Sequence, residues 1–130
     1  MNLKEFYNLI KDICPTYHYE SDSEEYPRQV YTEYAINYDY ASNEVYEKKV
    51  SINLNYYSKD EFDISERKLE LILMTSENIT FNKEVDFDRE TKVINTFYDI
   101  EITEVLSYER LVQELEMLLN ENDKKNIDSE

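Results

Sequence analysis

Apolar residues change their spacing several times along the chain, and each spacing predicts one kind of secondary structure. Near the N-terminus they recur every three or four positions, which is typical of one face of a helix over residues 3–13. Asn2 is placed to cap this helix, with Glu5 three residues later as in a capping box, and Pro15 ends it. The apolar positions of this face are Leu3, Phe6, Tyr7, Ile10 and Ile13.

From Val30 the spacing changes to two, which is typical of half-buried strands. One face of the first strand is predicted to carry Val30, Thr32, Tyr34, Ile36, Tyr38 and Tyr40, and the other Tyr31, Glu33, Ala35, Asn37 and Asp39. After a turn predicted at residues 41–44, a second strand alternates Tyr46, Val50, Ile52, Leu54 and Tyr56 with polar residues. Two long strands joined by a short turn predict an antiparallel hairpin.

Helical spacing returns over residues 60–75, where Asp60 is the expected cap. The predicted stripe of this helix consists of Phe62, Leu69, Ile72 and Leu73, with Glu66 at its edge. A further strand is predicted to begin at Ile79, the polar segment 88–92 to turn the chain, and a last strand to alternate from Ile94 to Ile102. This pair predicts a second hairpin, and residues 16–20 predict a short strand before an acidic loop.

A final helix is predicted over residues 107–121, capped by Ser107, with Leu106 and Leu111 as a hydrophobic staple. Its apolar face consists of Leu111, Val112, Leu115, Leu118 and Leu119. An amphipathic helix usually covers its own core, so docking on the parent sheet is the preferred interpretation, and packing on a neighbouring subunit is the alternative. Residues 122–130 are polar and are expected to be disordered.

These elements predict the α+β class: an antiparallel sheet built from two hairpins, with helices packed on one face and a C-terminal helix. The length of 130 residues and a hydrophobic content of 41% indicate one domain, expected over residues 1–121.

The charge narrows the possible partners. Thirty acidic and fourteen basic residues give a formal net charge of −16, and no basic stripe that would grip phosphates is present. We therefore expect no direct binding to nucleic acid or to an anionic membrane. Besides simple solubility, the acidity suits either a wall past which DNA slides or a surface that imitates DNA. A single cysteine and no signal-peptide pattern indicate a reducing compartment.

The residues that usually carry chemistry are scarce. The chain has no glycine, which excludes the glycine-rich phosphate loops, and one cysteine with one histidine cannot build a structural zinc site. A carboxylate-only magnesium or calcium site stays open, although the EF-hand pattern is missing. Cys14 and His18 are a weak candidate for an activated thiolate. We expect no catalytic residue, no cofactor and no functional metal, and we interpret the chain as a non-enzymatic protein.

Without glycine, tight turns with positive φ must use asparagine or aspartate. Asn43, Asn78 and Asn82 stand where such turns are expected. The thirteen tyrosines alternate with acidic and amide residues rather than with basic ones, so they favour packing within the sheet or a protein interface over stacking on nucleic-acid bases.

The order of these elements resembles a known family. The stretch PTYHYESDSEEYPRQVYTEYAINYDYASNEVYEKKVSINLNYYSKD, the helix SERKLELIL and the strand VINTFYDIEI are similar to small tail-completion proteins of long-tailed bacteriophages, the tail terminator or head–tail joining type, similar in layout to minor tail protein U of lambda-like phages. The likeness covers about residues 1–104. The helix over 107–121 extends beyond it.

This resemblance implies a structural virion protein assembled in the bacterial cytoplasm. Such proteins form a ring, usually of six copies, that caps the tail tube and joins it to the head connector, and genome DNA passes through the ring without specific binding. The tail tube protein and the head connector proteins are then the partners. A head-completion adaptor of similar size is one alternative, and an acidic DNA-mimic inhibitor of a DNA-binding protein, such as an anti-restriction protein, is another.

If a ring forms, the first hairpin is expected to contribute subunit contacts or the wall of the lumen. The alternation predicts an exposed polar face there, and it carries the candidate residues Tyr31, Glu33, Asp39, Glu47 and Lys49.

Overall fold

The computed structural model describes residues 1–42 and 45–128, with side chains for 1–40 and 45–121. In these residues three helices and five strands follow one another in the order that the spacing of apolar residues predicts. In chain order they are α1 (Leu3–Ile10), β1 (Thr16–His18), β2 (Arg28–Ser42), β3 (Val45–Ser58), α2 (Ile64–Thr75), β4 (Ile79–Phe87), β5 (Ile94–Ser107) and α3 (Tyr108–Asp128).

The strands form one sheet in the order β1-β2-β3-β5-β4. The pairs β2–β3, β3–β5 and β4–β5 are antiparallel, whereas β1 pairs with β2 in parallel. The expected α+β class, with a mostly antiparallel sheet and a C-terminal helix, is confirmed. The parallel pair makes the sheet mixed, and alternation along a single strand carries no signal for it because it depends on which segments meet in space.

Helices α1 and α2 supply the apolar layer that packs with the sheet, and we call the side of the sheet facing this layer the covered face. The spacing of apolar residues correctly predicts the buried side chains of β3 and β5, and Phe6 and Ile10 of α1. Tyr7 is 37% exposed, and α1 ends at Ile10 instead of continuing to residue 13. The buried core consists of Phe6, Ile10, Tyr31, Val50, Ile52, Leu54, Tyr56, Leu69, Leu73, Tyr98, Ile100 and Ile102. Removal of these side chains from water is the main stabilising contribution to the fold.

A buried amide ties the end of α1 to the edge of the sheet. The side chain of Gln29 is fully buried, and its Nε2 donates hydrogen bonds of 2.9 Å to the Ile10 carbonyl and to Thr16 Oγ1. The Ile10 carbonyl, at the last residue of α1, also accepts from the Ile13 amide at 3.2 Å. Gln29 therefore adds a long-range hydrogen bond to the helix end and holds α1 on the covered face.

The local sequence predicts the N-cap residue of α1 correctly and that of α2 incorrectly. Asn2 caps α1, since its Oδ1 accepts from the Glu5 amide at 2.8 Å, and this prediction is confirmed. The prediction of Asp60 as the cap of α2 is wrong, because Asp63 holds that position and accepts from the Ser65 amide. Phe62 consequently lies outside the helix and is 85% exposed, so its assignment to the buried stripe is also wrong.

An irregularity in β2 changes which residues share a face. The register of β2 with β3 shifts between Glu33 and Ala35, which reverses the alternation at that point. Tyr31 is only 5% exposed and packs in the core on the covered face, so the prediction that it lies on an exposed polar face is wrong. After the shift, Ile36 and Tyr38 lie on the same face of the sheet as Tyr31.

The prediction that asparagines take the positive-φ turn positions usually held by glycine is partly confirmed. Asn78 has φ of 65° and turns the chain into β4, as predicted. Asn82 lies within β4, so that prediction is wrong, and Asn43 falls outside the described residues, together with part of the turn predicted at 41–44. Tyr19 and Lys92 also adopt positive φ, of 72° and 58°. Both follow strand or turn segments where a reversal of the chain is needed.

Helix α3 begins at Tyr108, directly after Ser107 ends β5, and it does not return to the sheet. Leu115, Leu118 and Leu119 are each more than half exposed, so the preferred docking of this helix on its own sheet is wrong. The helix continues through Asp128. The domain boundary at residue 121 and the disorder of residues 122–130 stay predictions.

Candidate protein interface

The two residues proposed for thiolate chemistry have different partners. His18 Nε2 lies 2.5 Å from Glu33 Oε2, whereas the Cys14 thiol lies beside Tyr56 and Asp63. Burial, with a further contribution from the Asp63 carboxylate, raises the pKa of Cys14 to about 12. A thiol with such a pKa stays protonated at neutral pH and is a poor nucleophile. The structure therefore gives no support to a Cys14–His18 catalytic pair.

Within residues 1–42 and 45–128, acidic, histidine and cysteine side chains do not gather in groups of three that would hold a metal ion. The absence of a functional metal nevertheless stays a prediction. In the same part of the chain, no helix is both long and apolar enough to cross a membrane.

Two buried tyrosines join the sheet to α2 through carboxylates. Tyr56 donates to Asp63 Oδ2 at 2.6 Å, and Tyr98 donates to Glu66 Oε1 at 2.8 Å and to Glu70 Oε1 at 3.1 Å. Burial and the adjacent carboxylates raise the pKa of both hydroxyls, so they remain protonated donors. These contacts position the helix, and the local sequence carries no signal for them.

Glu70 is the most connected of these carboxylates, and its connections predict a pH dependence of stability. It accepts from Tyr98 and lies 2.5 Å from Lys83 Nζ. Burial alone would raise the pKa of Glu70. The hydrogen bonds from Lys83 and Tyr98 outweigh this effect and hold the pKa below its ordinary value of 4.5. A depressed pKa stabilises the folded protein above the unfolded pKa, and this stability is lost as the pH falls through the folded pKa.

We therefore expect E70Q to be less stable than the wild-type protein by about 1 kcal/mol at pH 7, because Lys83 loses its partner. The difference should shrink as the pH falls below about 4.5 and protonates Glu70. Denaturant titrations of both proteins between pH 7 and pH 3 measure this gap in the free energy of unfolding. The general effect of net charge is shared by the two proteins and cancels in the difference. A gap that stays constant across this range would contradict the role of the ionised carboxylate.

The face of the sheet opposite α1 and α2 is lined by polar side chains, and we call it the open face. Tyr34 donates a 2.6 Å hydrogen bond to Asp99 Oδ1 across β3, and both side chains are exposed. Around this pair lies a shallow depression of about 500 Å³. Its lining comprises Tyr34, Asn53, Asn82, Glu84, Phe97 and Asp99. Most residues that line this depression are polar, and it is open to solvent in the single chain.

The register shift in β2 divides the candidate residues of the first hairpin between the two faces. Asp39, Glu47 and Lys49 lie on the open face, where Lys49 Nζ is 4.0 Å from Asp39 Oδ2. Tyr31 and Glu33 lie on the covered face. The five residues therefore do not form one surface. The three on the open face stay candidates for an interface or lumen.

Tyr31 and Glu33 instead build a local cluster around the only histidine. The His18 ring stacks between Tyr19, with centroids 3.9 Å apart, and Tyr31, at 4.5 Å. Burial raises the pKa of Glu33, but the hydrogen bond and charge of His18 outweigh it and hold this pKa below its ordinary value. The cluster joins the short edge strand β1 to β2, so its evident role is structural.

Many large apolar side chains of the described residues are exposed, and three groups of them bear on association. The first is the far end of the first hairpin, at Ile36, Tyr38 and Tyr40. The second is the border between α2 and β4, at Phe62, Ile64, Val85 and Phe87. The third is the leucine stripe of α3. Sequence periodicity found the α3 stripe but placed it on the parent sheet, and it missed the α2–β4 border because Phe62 was assigned to the helix stripe.

No protein-family model matches the sequence, and a search of curated proteins also gives no match. Contiguous exposed apolar patches commonly mark protein–protein contacts.

Proposed function

We propose that this protein is a structural, self-associating subunit of a long-tailed bacteriophage virion that caps the tail tube and joins it to the head. The observation that carries self-association is the presence of three groups of exposed apolar side chains, one of them Leu115, Leu118 and Leu119 on α3. The place of assembly, at the tail end, is supported by the resemblance of residues 1–104 to tail-completion proteins. The two-hairpin layout of the sheet, β2–β3 and β4–β5, belongs to that resemblance.

The charge fits the same role. In a ring through which DNA travels, acidic side chains on the lumen repel the phosphate backbone and prevent it from sticking. The open face exposes Asp39 and Asp99 beside amide and hydroxyl groups, and it offers no basic stripe. We propose this face as the wall of the lumen and the apolar surfaces as contacts with other protein chains. The tail tube protein and the head connector are the expected neighbours.

Removal of the reading frame from the phage or prophage that encodes it tests the function directly. We expect overlong tails without attached heads in electron micrographs, since an uncapped tube continues to polymerise. Expression of the chain from a plasmid should restore tails of normal length, and a plasmid with an early stop codon is the matched control.

Other outcomes identify the alternatives. Tails of normal length beside full, unjoined heads would show that the protein acts as a head-side adaptor and not as a tail terminator. Complete virions whose DNA is newly sensitive to host restriction would overturn the structural role in favour of the DNA mimic. Complete and fully infectious virions in every host would overturn any role in tail completion.

A further inference from the structure

The apolar stripe of α3 is built to dock against another surface. Leu111, Leu115 and Leu118 follow the three-and-four spacing of one helix face, and Val112 and Leu119 widen it. Glutamates flank the stripe on both sides, with Glu114 along one border and Glu116 along the other. Over residues 108–121 the helix carries four glutamates against one arginine. It is therefore an acidic amphipathic helix, and Leu115, Leu118 and Leu119 of its apolar face are exposed in the single chain.

The border between α2 and β4 forms a groove of matching character. It has a volume of about 620 Å³, and Val85, Phe87 and Ile94 form its apolar floor. Lys59, Lys83 and Lys92 line it together with two glutamates, which is a positive balance in a chain of net charge −16. The adjoining depression of about 400 Å³ adds the exposed side chains of Phe62 and Ile64, together with Asp63, Arg67 and Glu70, the last paired with Lys83. The apolar side chains at this border, with Lys59 and Lys92 beside them, suit an acidic amphipathic helix.

The groove and the helix lie at opposite ends of the same strand. Ile94, at the start of β5, borders the groove, and α3 leaves from Ser107, at the end of β5. The thirteen residue steps between them span about 44 Å at the rise of an antiparallel strand. From Tyr108 to Leu119 the helix extends only about 17 Å. The stripe of α3 therefore cannot reach the groove of its own chain.

We propose that α3 of one copy docks in the α2–β4 groove of a second copy. Since the donor helix and the acceptor groove are different surfaces, the contact is head-to-tail, and each copy can accept one neighbour and be accepted by another. Repetition of such a contact closes a ring when the rotation permits. The docking deepens the self-association in the proposed function, and it does not depend on the place of assembly in a phage tail.

The aromatic end of the first hairpin, at Ile36, Tyr38 and Tyr40, is the competing site. It lies near the base of α3, because Val45 at the start of β3 pairs with Ser107. An α3 helix that occupied this end would fold back on its own chain or exchange symmetrically with one partner. Neither of these contacts can extend beyond two chains, whereas docking in the groove can. The number of copies in the assembly therefore distinguishes the two docking sites.

The test uses the full chain with one surface disabled at a time. L118D disables the helix and leaves the groove, whereas F87D and, separately, K92E disable the groove and leave the helix. M117D is the matched control, because Met117 is exposed on the opposite side of α3 from the stripe. Circular dichroism and thermal unfolding establish that each variant is folded. Sedimentation equilibrium at concentrations up to about 1 mM measures the association.

We expect the wild-type protein and M117D to assemble beyond the dimer. L118D and F87D should each weaken self-association at least about 30-fold, and K92E should weaken it less. A mixture of L118D with F87D retains one intact helix and one intact groove on different chains. It should therefore form a one-to-one heterodimer and assemble no further.

Three results would overturn the docking. They are a monomeric wild-type protein throughout this range, a mixture that stays monomeric although the wild-type protein assembles, or assembly that survives L118D. The last result would leave self-association intact and remove only α3 as its donor. Tail length in the deletion experiment responds to the proposed function separately, so the two failures are distinguishable.

Discussion

Substitution of Leu69 by alanine should lower the free energy of unfolding by about 2–5 kcal/mol, the range for truncation of a buried leucine. Leu69 is fully buried on α2 and belongs to the core that joins both helices to the sheet. The substitution removes apolar surface from this core and leaves a cavity that the surrounding strands cannot fill. Denaturant titration with a fixed m-value measures the loss.

Leu71 provides the matched control, because it is the same residue type on the same helix and is 43% exposed. L71A changes helix propensity by the same amount but removes little buried surface, so we expect a loss below about 1 kcal/mol. Equal losses for L69A and L71A would show that α2 does not pack on the sheet as described.

Substitution of Asp63 by alanine should cost about 2–4 kcal/mol, because it removes two contacts at once. The Asp63 side chain caps α2 through the Ser65 amide, a contact worth about 1 kcal/mol. It also accepts the 2.6 Å hydrogen bond of Tyr56, whose hydroxyl lies in a partly buried setting and would lose its partner. Thermal and denaturant unfolding measure the combined effect.

The conservative variant D63N separates the helix cap from the hydrogen bond with Tyr56. Asparagine caps helices as well as aspartate, but it has one side-chain oxygen, whereas Asp63 uses Oδ1 for the Ser65 amide and Oδ2 for the Tyr56 hydroxyl. D63N should therefore restore the cap and only part of the stability lost in D63A. D60A is the comparison for the cap predicted from the sequence. The Asp60 side chain accepts a local hydrogen bond from the Phe62 amide, so its removal should have a small effect. A D60A loss as large as that of D63A would contradict the assignment of the cap.

The errors of the sequence-based prediction have specific physical causes. Asp60 and Asp63 both precede an apolar stripe, and the side-chain hydrogen bond from Tyr56, which the local pattern does not show, favours the second. In β2 the alternation is unbroken in the sequence, yet the register shift after Glu33 reverses the faces. That single shift buries Tyr31 and separates it from Asp39, which divides the candidate site in two.

Other predictions succeeded because the signal is local and strong. The alternation of Ile52, Leu54 and Tyr56 survives in a central strand with neighbours on both sides, where the core demands one apolar face. The Asn2 cap depends only on the backbone of the next three residues. Asn78 adopts positive φ because asparagine tolerates that conformation better than other residues with a side chain.

By itself the sequence determined the kinds and order of the main elements, the apolar faces of α1, β3 and β5, and the amphipathic character of α3. Those properties follow from the spacing of neighbouring residues, whose physical effect does not depend on the rest of the chain. Tertiary structure alone decided the parallel β1–β2 pair, the burial of Tyr31, and the position of the α2–β4 groove at the far end of the sheet from α3. Each of these depends on contacts between segments distant in sequence, and such contacts leave no periodic trace in either segment.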